Sequence, residues 1–255
     1  WIRPYKQEEH IFQKTEESAQ KETMEYASSL LKQFMDRISD VYCIINWERR
    51  GFLVVFPKEK MPGNLKNAGK KILHIFRDYF GMQALVAVST PANNIWDGIR
   101  DAADEIRAME EYYYYHSQCS VLYAGDFEQN ELQDRHSRHN VFDISFLKKD
   151  LKQALMVQDR QKVEQVFSEV TELFSEYKPA KEQVIDACMN LYYFFFDYAE
   201  SGKKDEAKEF PYPSEIVERL GQCFTLEENV SWLKDLGRWI SSTMETLEGG
   251  SKTEQ

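Results

Sequence analysis

Val41-Tyr42-Cys43-Ile44-Ile45-Asn46-Trp47, then Glu48-Arg49-Arg50, then Gly51-Phe52-Leu53-Val54-Val55-Phe56-Pro57 is the stretch on which the fold of the first half of the chain turns. Two β-branched and aromatic runs flank three charged residues, which is the pattern of a hairpin with a solvated tip. Pro57 lacks the N–H that would continue the second strand and ends it. Both runs are apolar enough to predict rather buried strands.

On either side the period changes from two to between three and four. Upstream, over about 15–40, Met24, Ala27, Leu31, Phe34 and Ile38 form the stripe of an amphipathic helix. Downstream, Leu65, Ala68, Ile72, Leu73, Phe76 and Phe80 form a second helix, closed by Gly81 in the usual C-terminal position. A strand at 82–89 follows. A helix over about 94–116 comes next, with Ile99, Ala102, Ala103, Ile106 and Met109 on its apolar face, and then a short strand at 120–123. This order predicts an α/β sandwich whose helices cover one face of a mixed sheet. Trp1-Ile2-Arg3-Pro4-Tyr5 alone can supply a strand before the first helix, and Pro4 restricts it to a sheet edge or a loop.

Beyond Asp126 the strands stop. A polar connector at 127–140 leads into helices expected at about 144–157, 160–177, 181–200, 214–224 and 226–247, so the fold class is α+β: a sandwich followed by an all-α helical bundle. The expected domains are therefore 1–126 and 141–248, with a flexible tail at 249–255.

Composition removes several function classes. The net charge of −11 repels phosphate backbones, so the chain is not expected to bind nucleic acid unaided. No apolar run approaches the roughly 20 residues that span a bilayer, and a soluble, cytoplasmic protein without membrane contact is expected. Cys43, Cys119, Cys188 and Cys223 lack CxxC spacing and read as buried, reduced thiols. A start at Trp1 and a polar end at Gly249-Gly250-Ser251-Lys252 read as a piece of a longer protein.

The hairpin, the strand ending Val86-Ala87-Val88-Ser89, and the helix carrying Ala102-Ala103 into Tyr112-Tyr113-Tyr114-Tyr115 together resemble a degenerate GGDEF-like, nucleotidyl-cyclase-type domain. With its aromatic cluster and the helical segment behind it, the chain resembles the central region of YesN-type response regulators of the AraC family. The resemblance implies a receiver domain before this region, a helix-turn-helix domain after it that makes the DNA contact, and paired protomers. It also bears on catalysis. Where an active cyclase has its glycine-rich acidic loop, this chain has Trp47-Glu48-Arg49-Arg50-Gly51-Phe52. Phosphoryl transfer by that route needs a tight glycine turn and carboxylates to hold metal ions against the triphosphate. No enzyme activity, catalytic residue, cofactor or metal is therefore expected.

Tyr112, Tyr113 and Tyr115 end one helix and point in several directions around it, while Tyr192 and Tyr193 lie in the run Leu191-Tyr192-Tyr193-Phe194-Phe195-Phe196-Asp197-Tyr198, apolar almost all round. These five tyrosines read either as core and interdomain surface or as the lining of a small-molecule pocket. Trp232 and Trp239 share a helix face as core or dimer contact. His136 and His139 are three apart but have no further ligand nearby, so they read as polar linker. For a homodimer, Leu31, Phe34 and Ile38 on the first helix and Leu236 on the last are the expected seam. The function expected is signal transmission within a bacterial two-component transcription regulator, with a small-metabolite sensor as the alternative.

Overall fold

A computed structural model describes residues 1–5, 17–40, 42–47, 51–57, 59, 63–92, 95–118, 120–127, 142–202 and 212–250. The chain is α+β and mostly helical, with one five-stranded sheet and eight helices among the described residues. It divides into two compact units, Trp1–Ser137 and Arg138–Gln255. The boundary falls at 137–138, inside the stretch expected as connector.

The first unit contains β1 (Ile2–Tyr5), α1 (Glu17–Met35), β2 (Cys43–Trp47), β3 (Gly51–Val55), α2 (Leu65–Phe80), β4 (Gln83–Val88), α3 (Ile95–Tyr115) and β5 (Val121–Tyr123). The strand order is β2-β3-β1-β4-β5. All neighbours are antiparallel except β4 and β5, so β1 to β4 form a split βαβ arrangement to which α3 and β5 add a parallel crossover. The hairpin pairs Cys43 with Val55 through to Trp47 with Gly51, while its tip at 48–50 lies outside the described residues.

Three expectations about this sheet need correction. First, the Pro4 strand is interior. Trp1 and Ala87 exchange both backbone hydrogen bonds, at 2.8 and 2.9 Å. Antiparallel alternation then turns the nitrogen of Pro4 away from β4, toward a side where pairing to β3 is confined to Ile2. A missing N–H there costs no ladder bond. Second, the helices cover both faces. Ile2, Phe52, Ala84 and Val86 pack with Met24, Ala27, Leu31 and Met35 of α1 and Ile72 and Phe76 of α2. The alternate positions Trp1, Arg3 and Tyr5 meet Glu110 and Tyr113 of α3 instead. The buried face of α3 is correspondingly Ala108, Met109 and Tyr113, and Ile99 is exposed. Third, β2 is a sheet edge and only partly covered: Ile45 is 42% and Val55 48% exposed, and the Cys43 thiol is exposed rather than buried.

Two glycines are fixed by geometry. Gly81 caps α2 at φ 60°, its N–H bonding to the carbonyl of Arg77. At Gly51 a Cβ would lie 2.5 Å from the Ile2 carbonyl and 2.9 Å from the Trp1 ring, so only glycine lets β1 approach the hairpin this closely. α1 stops at Met35, short of the expected 40, in a turn where the amide of Ile38 bonds to the carbonyl of Met35 at 2.9 Å. The Tyr42 hydroxyl ties that turn to β2 by donating to the Asp36 carboxylate. This bond, with desolvation and the Asp36 charge behind it, pushes the phenol up to about 12.

The second unit holds α4 (Ser145–Met156), α5 (Arg160–Tyr177), α6 (Lys181–Gly202), α7 (Pro213–Gln222) and α8 (Leu226–Gly250). α5 packs on α4 and α8, and α6 on α4, α7 and α8. Its core is Leu147, Leu151, Val163, Val166, Val170, Phe174, Val184, Leu191, Leu220, Leu233 and Ile240. The helix starts follow local chemistry. Asp159 caps α5 through the amide of Lys162 at 3.0 Å. Thr225 and Glu228 form a reciprocal capping box on α8, at 3.3 and 3.0 Å. Lys181 donates to the carbonyl of Cys223 at the C-terminal end of α7, where a cation complements the helix dipole.

Candidate functional site

Of the tyrosines singled out in the sequence, Tyr113 and Tyr192 each pack against aromatic rings within their own unit. In the sheet unit, β1 presents Trp1, Arg3 and Tyr5 on one side by its two-residue period, and α3 presents Glu110 and Tyr113 by its i, i+3 spacing. Trp1 Nε1 and an Arg3 guanidinium nitrogen both donate to Glu110 Oε1, at 2.7 and 3.0 Å. The Tyr5 hydroxyl donates to Gln83 Oε1 at 2.6 Å and lies 2.6 Å from the Tyr113 hydroxyl. Each hydroxyl has one hydrogen, so Tyr113 donates to Tyr5 and Tyr5 to Gln83. The rings meet edge to face at 6.2 Å.

Tyr113 is thus a core residue. Tyr112 and Tyr115 stay half-buried: Tyr112 stacks on His116 at 4.2 Å and meets Phe127 edge-on at 5.0 Å, and Tyr115 packs edge-on to Tyr114. Sequence reasoning missed Trp1, Tyr5, Gln83 and Glu110 as partners of this cluster. The alternation of Trp1, Arg3 and Tyr5 was the available signal, hidden by Pro4.

This network gives a stability prediction. Tyr5→Phe removes the hydroxyl that bonds to both Gln83 and Tyr113 and is expected to lower unfolding free energy by about 1–2 kcal/mol, whereas Tyr113→Phe removes the bond to Tyr5 and about 1 kcal/mol. Urea unfolding of the two variants checks the order. Equal losses would mean that the chain of three groups does not form.

In the helical unit, Tyr192 is buried, its ring 6.2 Å from Phe196 and 6.3 Å from Trp232. Burial first, and the Glu215 charge second, push its phenol up to about 12, against the opposing charge of Arg219. Phe195 meets Trp239 edge to face at 5.5 Å, so α6 and α8 interlock through two aromatic pairs. Tyr193 faces away and is 46% exposed. Cys188 is fully buried, and its thiol is raised by desolvation and then by the neighbouring Cys223.

Two of the four residues expected at a dimer seam, Leu31 and Leu236, are core residues of their own units. Leu31 is 0% exposed inside the sheet unit, and Leu236 is buried inside the helical unit. Their apolar surface is occupied by their own neighbours. Phe34 and Ile38, partly buried, pack against the same core as Leu31.

A groove of about 270 Å³ lies between α4 and α6, lined by Phe142, Asp143, Lys148, Gln183, Asp186 and Asn190 among others. Lys148 Nζ is bonded to Asn190 Oδ1 at 2.9 Å. The Asp143 carboxylate, accepting from the Ser145 hydroxyl and amide, is held below the usual range. None of the five singled-out tyrosines lines this groove.

Among the described residues no group of three or more His, Cys, Asp or Glu side chains could hold a metal ion, and no helix is long and apolar enough to cross a membrane. His136, His139 and Cys119 lie outside the described residues, as does the hairpin tip Glu48-Arg49-Arg50. No family model, no curated protein and no solved structure matches the chain.

Proposed function

We propose that the chain is the non-catalytic, signal-transmitting region of a bacterial two-component regulator of the AraC family, acting between a receiver and a DNA-binding domain that lie outside it. On this reading the sheet unit is a cyclase-like domain that has kept its scaffold and lost its chemistry. The observation that carries the reading is the hairpin Cys43–Trp47 and Gly51–Val55. Its tip sequence is Glu48-Arg49-Arg50, in which a lone carboxylate followed by two cations offers no pair of ligands for a magnesium-bound triphosphate. Two compact units in one chain suit a relay from one neighbour to the next. DNA contact falls to the outside domain, and protomers act in pairs.

Incubation with GTP or ATP and magnesium or manganese is expected to yield no cyclic nucleotide above a protein-free control. A protein-dependent cyclic product would overturn the non-catalytic reading. The flanking reading frame tests the rest: a receiver-type aspartate domain upstream and a helix-turn-helix downstream are expected, and neither would be found in a free-standing sensor.

The alternative, a small-molecule sensor, draws its support from the α4–α6 groove, whose amide, ammonium and carboxylate groups suit a small polar metabolite. A ligand-induced rise in melting temperature that Asn190→Ala abolishes would favour it.

A further inference from the structure

We infer that the outer edge of β2 is a self-association strand, pairing antiparallel with β2 of a second copy of this chain about a two-fold axis at Ile45. The inference rests on the paired-protomer reading proposed above and names its interface.

A sheet with five strands has two edges, and the two here differ in chemistry. β5 is three residues long, and the Lys66 ammonium sits 5.3 Å from the centre of the Tyr123 ring while pairing with Asp126 at 3.3 Å. A short strand with a charge beside it is how proteins guard an edge against further pairing. Among the described residues β2 has no such device. Its five residues, Cys43-Ile44-Ile45-Asn46-Trp47, include no charge and no proline, and among the described residues it pairs only with β3. Its outward amides and carbonyls can be satisfied by water or by another strand.

The face beside this edge is apolar as well. Cys43 pairs with Val55 and Ile45 with Leu53 on the side away from Phe52 and the α1–α2 core, and Ile45 and Val55 are both exposed there. A second strand laid along β2 would extend this patch and cover its rim.

Symmetry selects the occupant. Pairing of β2 with β5 of another copy would be head-to-tail and would propagate into a filament, and the charged group at β5 opposes it. Pairing of β2 with β2 closes after two copies. Two chains of net charge −11 also repel, and an uncharged strand is the place where they meet without opposing side-chain charges. Ile45 then faces its own symmetry mate, and positions 43 and 47 face each other.

The test is sedimentation of the whole chain from about 1 to about 100 μM, the range for a contact this small. The parent is expected to dimerise, and Ile45→Lys, at a site already half open to solvent, to weaken the dimer about a hundredfold with circular dichroism unchanged, because two ammonium groups would face each other. A second arm does not depend on that variant folding. Ile45→Cys in a Cys43→Ser background should form a disulfide-linked dimer under mild oxidation, at a level the background alone does not reach. A parent that stays monomeric overturns this inference together with the pairing in the proposed function. A dimeric parent that Ile45→Lys leaves intact and cysteine at 45 fails to trap overturns this inference alone.

Discussion

Leu31→Glu is expected to unfold the sheet unit rather than to separate protomers. Leu31 lies wholly inside the cluster that joins α1 to α2 and to β1, β3 and β4, with no solvent-facing atom through which a carboxylate could keep its water. The new side chain must either stay charged without a partner or take up a proton. Either way the penalty is about 3–5 kcal/mol, against a total stability of about 5–15 kcal/mol for a domain. Hydrogen exchange followed by mass spectrometry reads the result by segment, with protection expected to collapse through β1, β4 and α1. Leu236→Glu should do the same for α5 and α8. Each unit has its own buried core, so each loss is expected to centre on its own unit. A Leu31→Glu variant with parental protection in α1 would contradict this packing and return Leu31 to a surface role.

The same residue shows what the sequence can and cannot convey. That Met24, Ala27 and Leu31 share a stripe follows from helical period alone, and the end of α2 was legible in Gly81, whereas the caps that Asp159 gives α5 and Thr225 with Glu228 gives α8 went unread although their signals are local. What covers a stripe is a non-local fact. Leu31 was expected at a seam between protomers, because the amphipathic pattern is the same for a partner as for a core.

Pro4 shows the limit for strands. A proline forbids a ladder bond on one side only, and which side matters depends on pairing to β4 some eighty residues away. The hairpin was legible, yet its place at the sheet edge was not, since burial of Ile45 and Val55 depends on where α3 crosses and α3 covers β1 and β4. Of the tyrosines, Tyr113 and Tyr192 turned inward and Tyr193 outward. Adjacent residues on a helix lie about 100° apart, so a run of aromatics cannot all share one environment.

Trp232 offers the sharpest test of the helical unit, because two large effects act there in opposite directions. Its ring is 5% exposed and packs by Tyr192, while its Nε1 is buried with no hydrogen-bond partner among the described residues. The apolar surface stabilises the unit and the orphan donor opposes it. Trp232→Ala removes both: the lost packing is worth about 3–5 kcal/mol and the relieved donor about 1–3 kcal/mol, so the packing term wins and the variant is expected to be clearly less stable. Trp232→Phe keeps a ring against Tyr192 and removes the N–H alone. Relief of the donor then offsets most of the smaller volume, and the variant is expected within about 1 kcal/mol of the parent. Urea midpoints for the pair decide the matter. If Phe is as damaging as Ala, the indole N–H has a partner in solution, such as an ordered water held between α6 and α8. The absence of any gap in the Ala variant would instead mean that Trp232 is not packed as the Tyr192 contact requires.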